Sequence, residues 1–260
     1  MLSSPAIGRL VNAFADGIAT TFDEADELLV DLDVGTLESR TEEAVLTGAN
    51  AAAIGAHGRW QIVQFKTATQ VSAVRWSLTG LLRGRKGTEY NTPLSVAADR
   101  FVMISTGAIV RLNLENAQIG AELVYRSVSI GAPYASGTNQ PFIPRGQALE
   151  CYSPIYVTIE REINDDLTIT WIRRDRLSQT LRDGIPTPMS EAVEAYDIDI
   201  IPPGSPDASV RTIAASVETA TYTAAQQATD LGTLAPPGTR VRVYQLSAIV
   251  GRGTVGEATL

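Results

Sequence analysis

Leu167-Thr168-Ile169-Thr170-Trp171 decides the fold of this chain. Apolar side chains at 167, 169 and 171 alternate with two threonines, the period of a strand with one buried face. Upstream, Ile155-Tyr156-Val157-Thr158-Ile159-Glu160-Arg161 reads as its neighbour. Asn164-Asp165-Asp166 supplies the turn between them, because Asn and Asp bond their own backbone and tolerate left-handed geometry. Downstream, Tyr196-Asp197-Ile198-Asp199-Ile200 alternates strictly, and strands are expected over 210–217, 220–223 and 241–248, with Gly251-Arg252-Gly253 turning into a last one at 254–260. About seven short strands in roughly 110 residues is the pattern of an immunoglobulin-like or fibronectin-type sandwich. The one helical piece, 223–231, has Thr223 as a cap, an Ala/Gln-rich body and Gly232 as a stop, and is too short to be more than a crossover.

The first half is also strand-rich but less regular. Strands are expected at 27–34, 60–65, 71–82, 101–104, 109–114 and 123–130, with 67–70 as a hairpin loop. The Gly/Ala-rich stretch 47–58 reads as a loop or bend. Residues 131–146, with Pro133, Gly137, Pro141, Pro144 and Gly146, break secondary structure and end a domain. The expected organisation is all-β: a β-rich domain at 1–150 with an acidic N-terminal segment, then a sandwich at 151–260.

Composition excludes more than it identifies. The chain has 260 residues, 44% hydrophobic and 19% charged, which suits a globular protein. No apolar run is long enough to span a membrane, and no secretory signal is visible at the N-terminus. One cysteine, Cys151, excludes an internal disulfide framework and a cysteine-based zinc site. One histidine, His57, excludes any centre or relay that needs two, and its Ala56-His57-Gly58 setting reads as surface. The net charge of −8 resides in residues 1–50, where Arg9 and Arg40 face ten carboxylates. Residues 51–100 lean basic, with seven cations against Glu89 and Asp99. An acidic protein is not a typical free nucleic-acid binder, and no nucleic-acid partner is expected. The acidic and basic segments suit pairing within the chain or between copies, or else form ordinary solvated faces.

Leu82-Arg83-Gly84-Arg85-Lys86-Gly87 is the strongest local feature. Its glycines permit a tight turn that projects Arg83, Arg85 and Lys86 together. They either contact an acidic partner or bond carbonyls and carboxylates inside the domain; the spacing is not that of a phosphate-binding loop. Arg173 and Arg174 form a second cluster at a strand end, where cations discourage edge pairing and where Glu160 or Glu162 could answer them across the hairpin. Trp60, Trp76 and Trp171 are expected in cores, while Tyr134, Tyr152 and Tyr156 are candidates for exposed contacts. No motif proposes a catalytic carboxylate pair or a nucleophile elbow, so no catalytic, cofactor or metal residue is expected.

The segment 151–260 resembles a fibronectin type III domain, carried by Leu167-Thr168-Ile169-Thr170-Trp171, where that family places a core tryptophan on its second strand, by Tyr196 to Ile200, and by Gly238-Thr239-Arg240-Val241-Arg242-Val243-Tyr244-Gln245-Leu246-Ser247-Ala248. It departs from the family in a long proline-containing insertion at 177–190. The chain from about residue 20 is similar to the C-terminal part of the large tail-tip proteins of gene transfer agents and related long-tailed bacteriophages. Leu78-Thr79-Gly80-Leu81-Leu82-Arg83-Gly84-Arg85-Lys86-Gly87-Thr88-Glu89, Gln64-Phe65-Lys66-Thr67-Ala68, Tyr152-Ser153-Pro154 and Ile169-Thr170-Trp171-Ile172-Arg173-Arg174 carry that likeness.

The resemblance implies a non-enzymatic virion protein, made in the host cytoplasm and placed at the tail tip. It implies other tail-tip or hub proteins as partners, a homo-oligomer with three-fold symmetry as the first expectation, and host attachment to a surface receptor or glycan. The alternative is a receptor- or carbohydrate-binding module that uses the sandwich loops; a cell-wall hydrolase ranks third.

Overall fold

The computed structural model describes residues 6–56, 58–104, 112–177 and 188–260. His57, part of the strand expected at 109–114 and most of the insertion at 177–190 lie outside them. The chain divides into two compact units, Met1–Arg111 and Leu112–Leu260. The division falls well before the expected 150/151. Segment 112–150 belongs with the second unit because its end is tied there: Gly146 packs against Val250 and Ile119, and Arg176 donates to the Ala148 carbonyl.

Unit 1 holds β1 (Ile7–Leu10), β2 (Leu28–Val34), β3 (Ala51–Gly55), β4 (Gln61–Gln70), β5 (Arg75–Arg85) and β6 (Arg100–Met103). They close an antiparallel barrel in the order β1-β2-β5-β4-β3-β6. The domain expected only as β-rich is thus a sheet without edges. Leu28, Val30, Ile54, Val63, Phe65, Leu78, Leu81 and Phe101 fill it, and Trp76 packs against them. Two expectations change here, and one element is new. Residues 51–55 are a barrel strand and not a loop; its alanines have low strand propensity, but a small side chain at Ala52 suits a crowded interior. The β4–β5 hairpin turns at 71–74 and not at 67–70. A short helix, α1 (Glu42–Leu46), follows the N-cap Thr41.

Unit 2 begins with a hairpin, β7 (Leu123–Ser127) and β8 (Thr138–Phe142). β8 therefore forms inside the Pro/Gly-rich stretch expected to lack structure. Next come β9 (Ile155–Arg161), β10 (Leu167–Ile172), β11 (Tyr196–Ile201), β12 (Arg211–Ala215), β13 (Thr219–Tyr222), α2 (Ala224–Leu231), β14 (Arg240–Ser247), β15 (Gly251–Arg252) and β16 (Gly256–Thr259). One sheet runs β13-β10-β9; the other runs β12-β11-β14, with β15 and β16 both on the far edge of β14. This is the strand arrangement of a fibronectin type III-like sandwich, so the expected fold class holds. Leu167, Ile169 and Trp171 of β10 meet Tyr196, Ile198 and Ile200 of β11 and Val241 and Val243 of β14 in its core.

The crossover helix α2 follows its sequence signals. The Thr223 hydroxyl accepts from the Gln226 N–H, and the Gln226 side chain accepts from the Thr223 N–H, a reciprocal capping box. Gly232 ends the helix in left-handed geometry. Gln227, read only as part of the helical body, is fully buried and satisfied: its amide donates to the carbonyls of Tyr222 and Asp165, and its oxygen accepts from the Ala235 N–H and from Arg161. Thr223→Ala is expected to lower the stability of unit 2 by about 1 kcal/mol. Urea unfolding checks this, and an unchanged midpoint would mean that the cap contributes nothing.

Candidate functional site

The basic motif lies at the end of β5. Leu78 and Leu81 are both core residues, so the alternation shifts by one between them, at Gly80, whose φ is +63°. Arg83 therefore follows Leu81 inward and is 0% exposed. Its guanidinium donates to Asp26 Oδ2 at 3.1 Å, to Asp23 Oδ2 at 3.3 Å and to the Ala15 carbonyl. It also lies over the Phe14 ring, 3.8 Å from its centroid. A Cβ on Gly17 would collide with the guanidinium, so only glycine lets the chain pass this close. The acidic segment is thereby stapled to the barrel, and a backbone bridge between Asp23 and Leu81 holds the same place.

The two carboxylates respond differently. Burial opposes the charge of Asp23, but the N–H groups of Asp26 and Ala25 and the Arg83 guanidinium outweigh it and hold its carboxyl below the usual range. Burial and the neighbouring Asp23 carboxylate push Asp26 up, against the pull of Arg83.

Other ion pairs repeat the pattern of acidic segment against basic strand. Lys66 pairs with Glu24 and with Glu42 at 3.2 Å, and stands 4.5 Å over the Phe22 ring. Arg75 grips Asp31 through two bonds of 2.8 Å. The charge asymmetry of the sequence is answered at these positions within the chain.

The five candidate interaction residues separate accordingly. Arg83 is an internal anchor that offers nothing to a partner, so of the two readings of the motif it follows the one inside the domain and not that of an interaction residue. Arg85 is half-buried and donates to Gln64 Oε1 at 3.0 Å. Lys86 is exposed at the tip of the turn, in left-handed geometry. Arg173, in the other unit, is held by Glu194 and Glu218 at 3.4 and 3.5 Å. The register places Glu160 opposite Thr168, so the cross-hairpin pair with Arg173 is not formed. Arg174 covers the Tyr152 ring at 5.2 Å. Cys151 is buried inside unit 2; burial, with Glu191 beside it, pushes its thiol up to about 12, so it remains protonated at neutral pH. Among the described residues no cluster of His, Cys, Asp or Glu is arranged to hold a metal ion, and no helix is long and apolar enough to cross a membrane.

Sequence reasoning missed the carboxylates of unit 2 that carry its electrostatics. Asp230 accepts two bonds from Arg211, at 2.5 and 2.8 Å, and one from the Tyr222 hydroxyl; Arg211 first and Tyr222 after it hold its carboxyl below the usual range, against burial. Burial opposes the charge of Asp199, but Arg252 and Thr212 outweigh it, and its carboxyl is lowered as well. Both carboxyls are more acidic folded than unfolded, so the unfolded chain binds more protons as the pH falls below about 4. Their stabilisation is complete above that range and is lost as the pH drops through the folded values. The melting temperature of unit 2 is expected to fall below about pH 4, and less steeply for Asp230→Asn. An equal slope in the variant would remove Asp230 from this account.

A closed six-stranded barrel and a fibronectin type III-like sandwich, each with its own core, define a two-unit, mostly β protein. Residues 5–102, which take in all of the barrel but the last residue of β6, match the family described as Rcc01698-like, C-terminal. No curated protein matches the chain. Among solved structures, the FN1–FN3 domains of chicken CNTN1 are similar at 14% identity and a TM-score of 0.28. That alignment covers 92% of this chain and 64% of the other, and the chain spans less than two thirds of that structure. The sandwich assignment rests on the strand order and not on this likeness.

Proposed function

We propose that this chain is a structural, non-enzymatic component of the tail tip of a phage-type particle or gene transfer agent. In this reading it is a homo-oligomer, expected as a trimer, that binds other tail-tip or hub proteins and contributes to assembly and host attachment. It is made in the host cytoplasm and ends in the virion. The observation that carries the reading is the match of residues 5–102 to the Rcc01698-like family, Rcc01698 being a gene transfer agent protein. The sequence resemblance, which extends beyond those residues, and the ion-paired barrel support it: a preassembled, edge-free unit suits a part that must fit one place in a large assembly. We assign it no reaction and no cofactor. Immunogold labelling of purified particles tests the proposal. Label at one tip of the particle is expected; particles that lack the protein would overturn it.

A further inference from the structure

Residues 112–150 contribute no side chain to either hydrophobic core. Within them, β7 and β8 pair with each other alone among the described strands. A lone two-stranded hairpin is marginally stable in water. This one nevertheless leaves Val124 59% exposed, with Phe142 and Ile143 also open to solvent. Its two edges differ. Pro141 faces Val124, and a proline has no N–H to give to a ladder. At that pair the backbone groups therefore point away from the hairpin, and the outer edge of β8 lacks a donor. The outer edge of β7 keeps its donors: Val124 and Arg126 direct their N–H and C=O outward, and Glu122 stands two residues before Val124, just ahead of the strand.

The sequence of that edge is self-complementary. We propose that β7 pairs antiparallel with β7 of a second copy about a two-fold axis at Val124. In this register Val124 faces Val124 as a doubly hydrogen-bonded pair, the pairing its outward groups require. Leu123 faces Tyr125 of the second copy, on the face where Tyr125 already meets Phe142 at 6.1 Å between ring centroids. Glu122 faces Arg126 of the second copy, and the axis repeats this ion pair. Arg126 is preset for it: its Nε donates to Asn139 at 2.7 Å, and its guanidinium covers Tyr134 at 4.6 Å. The outcome is a four-stranded sheet with Pro141 on its outer edges, where a missing donor is harmless. A register one residue off would place Val124 groups opposite backbone that points inward.

The inference rests on the homo-oligomer reading and deepens it. A two-fold contact does not close a three-fold ring, but it would join two such rings face to face. So short an edge binds weakly alone and gains strength where other contacts hold copies together.

The test uses the full chain. Val124→Cys, treated with a short bis-thiosulfonate crosslinker, is expected to give a covalent dimer several-fold more readily than Gln140→Cys on the blocked edge; the buried Cys151 makes the wild-type chain the background control. Glu122→Arg places like charges opposite each other twice per contact and is expected to raise the dissociation constant, read by sedimentation, roughly tenfold. Glu122→Arg combined with Arg126→Glu restores the pairing and is expected to return it to the wild-type value. Equal crosslinking at 124 and 140, or a double exchange that fails to restore association, would overturn the inference. Association of unchanged strength in every variant would move the contact to another surface, with the inference lost and the oligomer kept. A chain that remains monomeric at all concentrations would remove both, whereas the particle-labelling result stands independently.

Discussion

Arg83→Ala is expected to cost the barrel about 3–5 kcal/mol, a large share of the 5–15 kcal/mol typical of a domain. The size follows from what the truncation strands, and not from the attraction it removes. Asp23 is 3% exposed; without the guanidinium its charge keeps the N–H groups of Ala25 and Asp26 and the Asp26 side chain, but no cation. The Ala15 carbonyl loses its donor and Phe14 loses the cation on its face. Surface pairs rarely exceed 1 kcal/mol, but here solvent cannot replace the missing partner. Urea unfolding followed by the fluorescence of Trp60 and Trp76 reads the loss, and hydrogen exchange over 14–26 shows whether the acidic segment detaches. Arg83→Met keeps the volume and strands the same charge, so it is expected to fare little better. Adding Asp23→Asn should recover part of the loss, because it removes the orphaned anion. A cost under about 1 kcal/mol would place Arg83 among weak surface pairs and end its role as a staple.

The sandwich was legible because each of its strands buries one face. β9, β10 and β11 begin at the residues where the alternation begins, and Thr223 and Gly232 bound α2 as their chemistry suggests. The barrel was harder to read. β3 is built of alanines, which pack inside a narrow barrel but carry no strand signal, and β8 runs through proline, which a strand tolerates at an edge. The fate of Arg83 depended on one backbone angle: the left-handed Gly80 reverses the inside and outside of β5, and no side-chain pattern announces it. Composition exposed the acidic segment and the basic strand as a likeness of opposites. Which carboxylate meets which cation is a matter of long-range register, set by how β2 and β5 pair.

Trp171→Ala is expected to cost unit 2 about 3–5 kcal/mol. The indole is 3% exposed, on β10, and meets the Tyr196 ring of the opposite sheet edge-on, at 5.0 Å between centroids and 68° between planes. It therefore packs between the two sheets, and its truncation leaves a cavity that the surrounding side chains close only in part. Tyr196 itself is 1% exposed and its hydroxyl is fixed by Glu194 at 2.9 Å, so it is not free to swing into the space. Trp171→Phe keeps an aromatic edge against Tyr196 and is expected to cost less, about 1–2 kcal/mol. Hydrogen exchange at the amides of β10 and β11 follows the loss without the tryptophan signal. Protection there should fall by two to three orders of magnitude in the alanine variant, because 1.4 kcal/mol corresponds to a factor of about ten. If protection fell by less than about tenfold, the two sheets would be held chiefly by the aliphatic rows of β10, β11 and β14, and the tryptophan that marks this fold in the sequence would not be what holds it together.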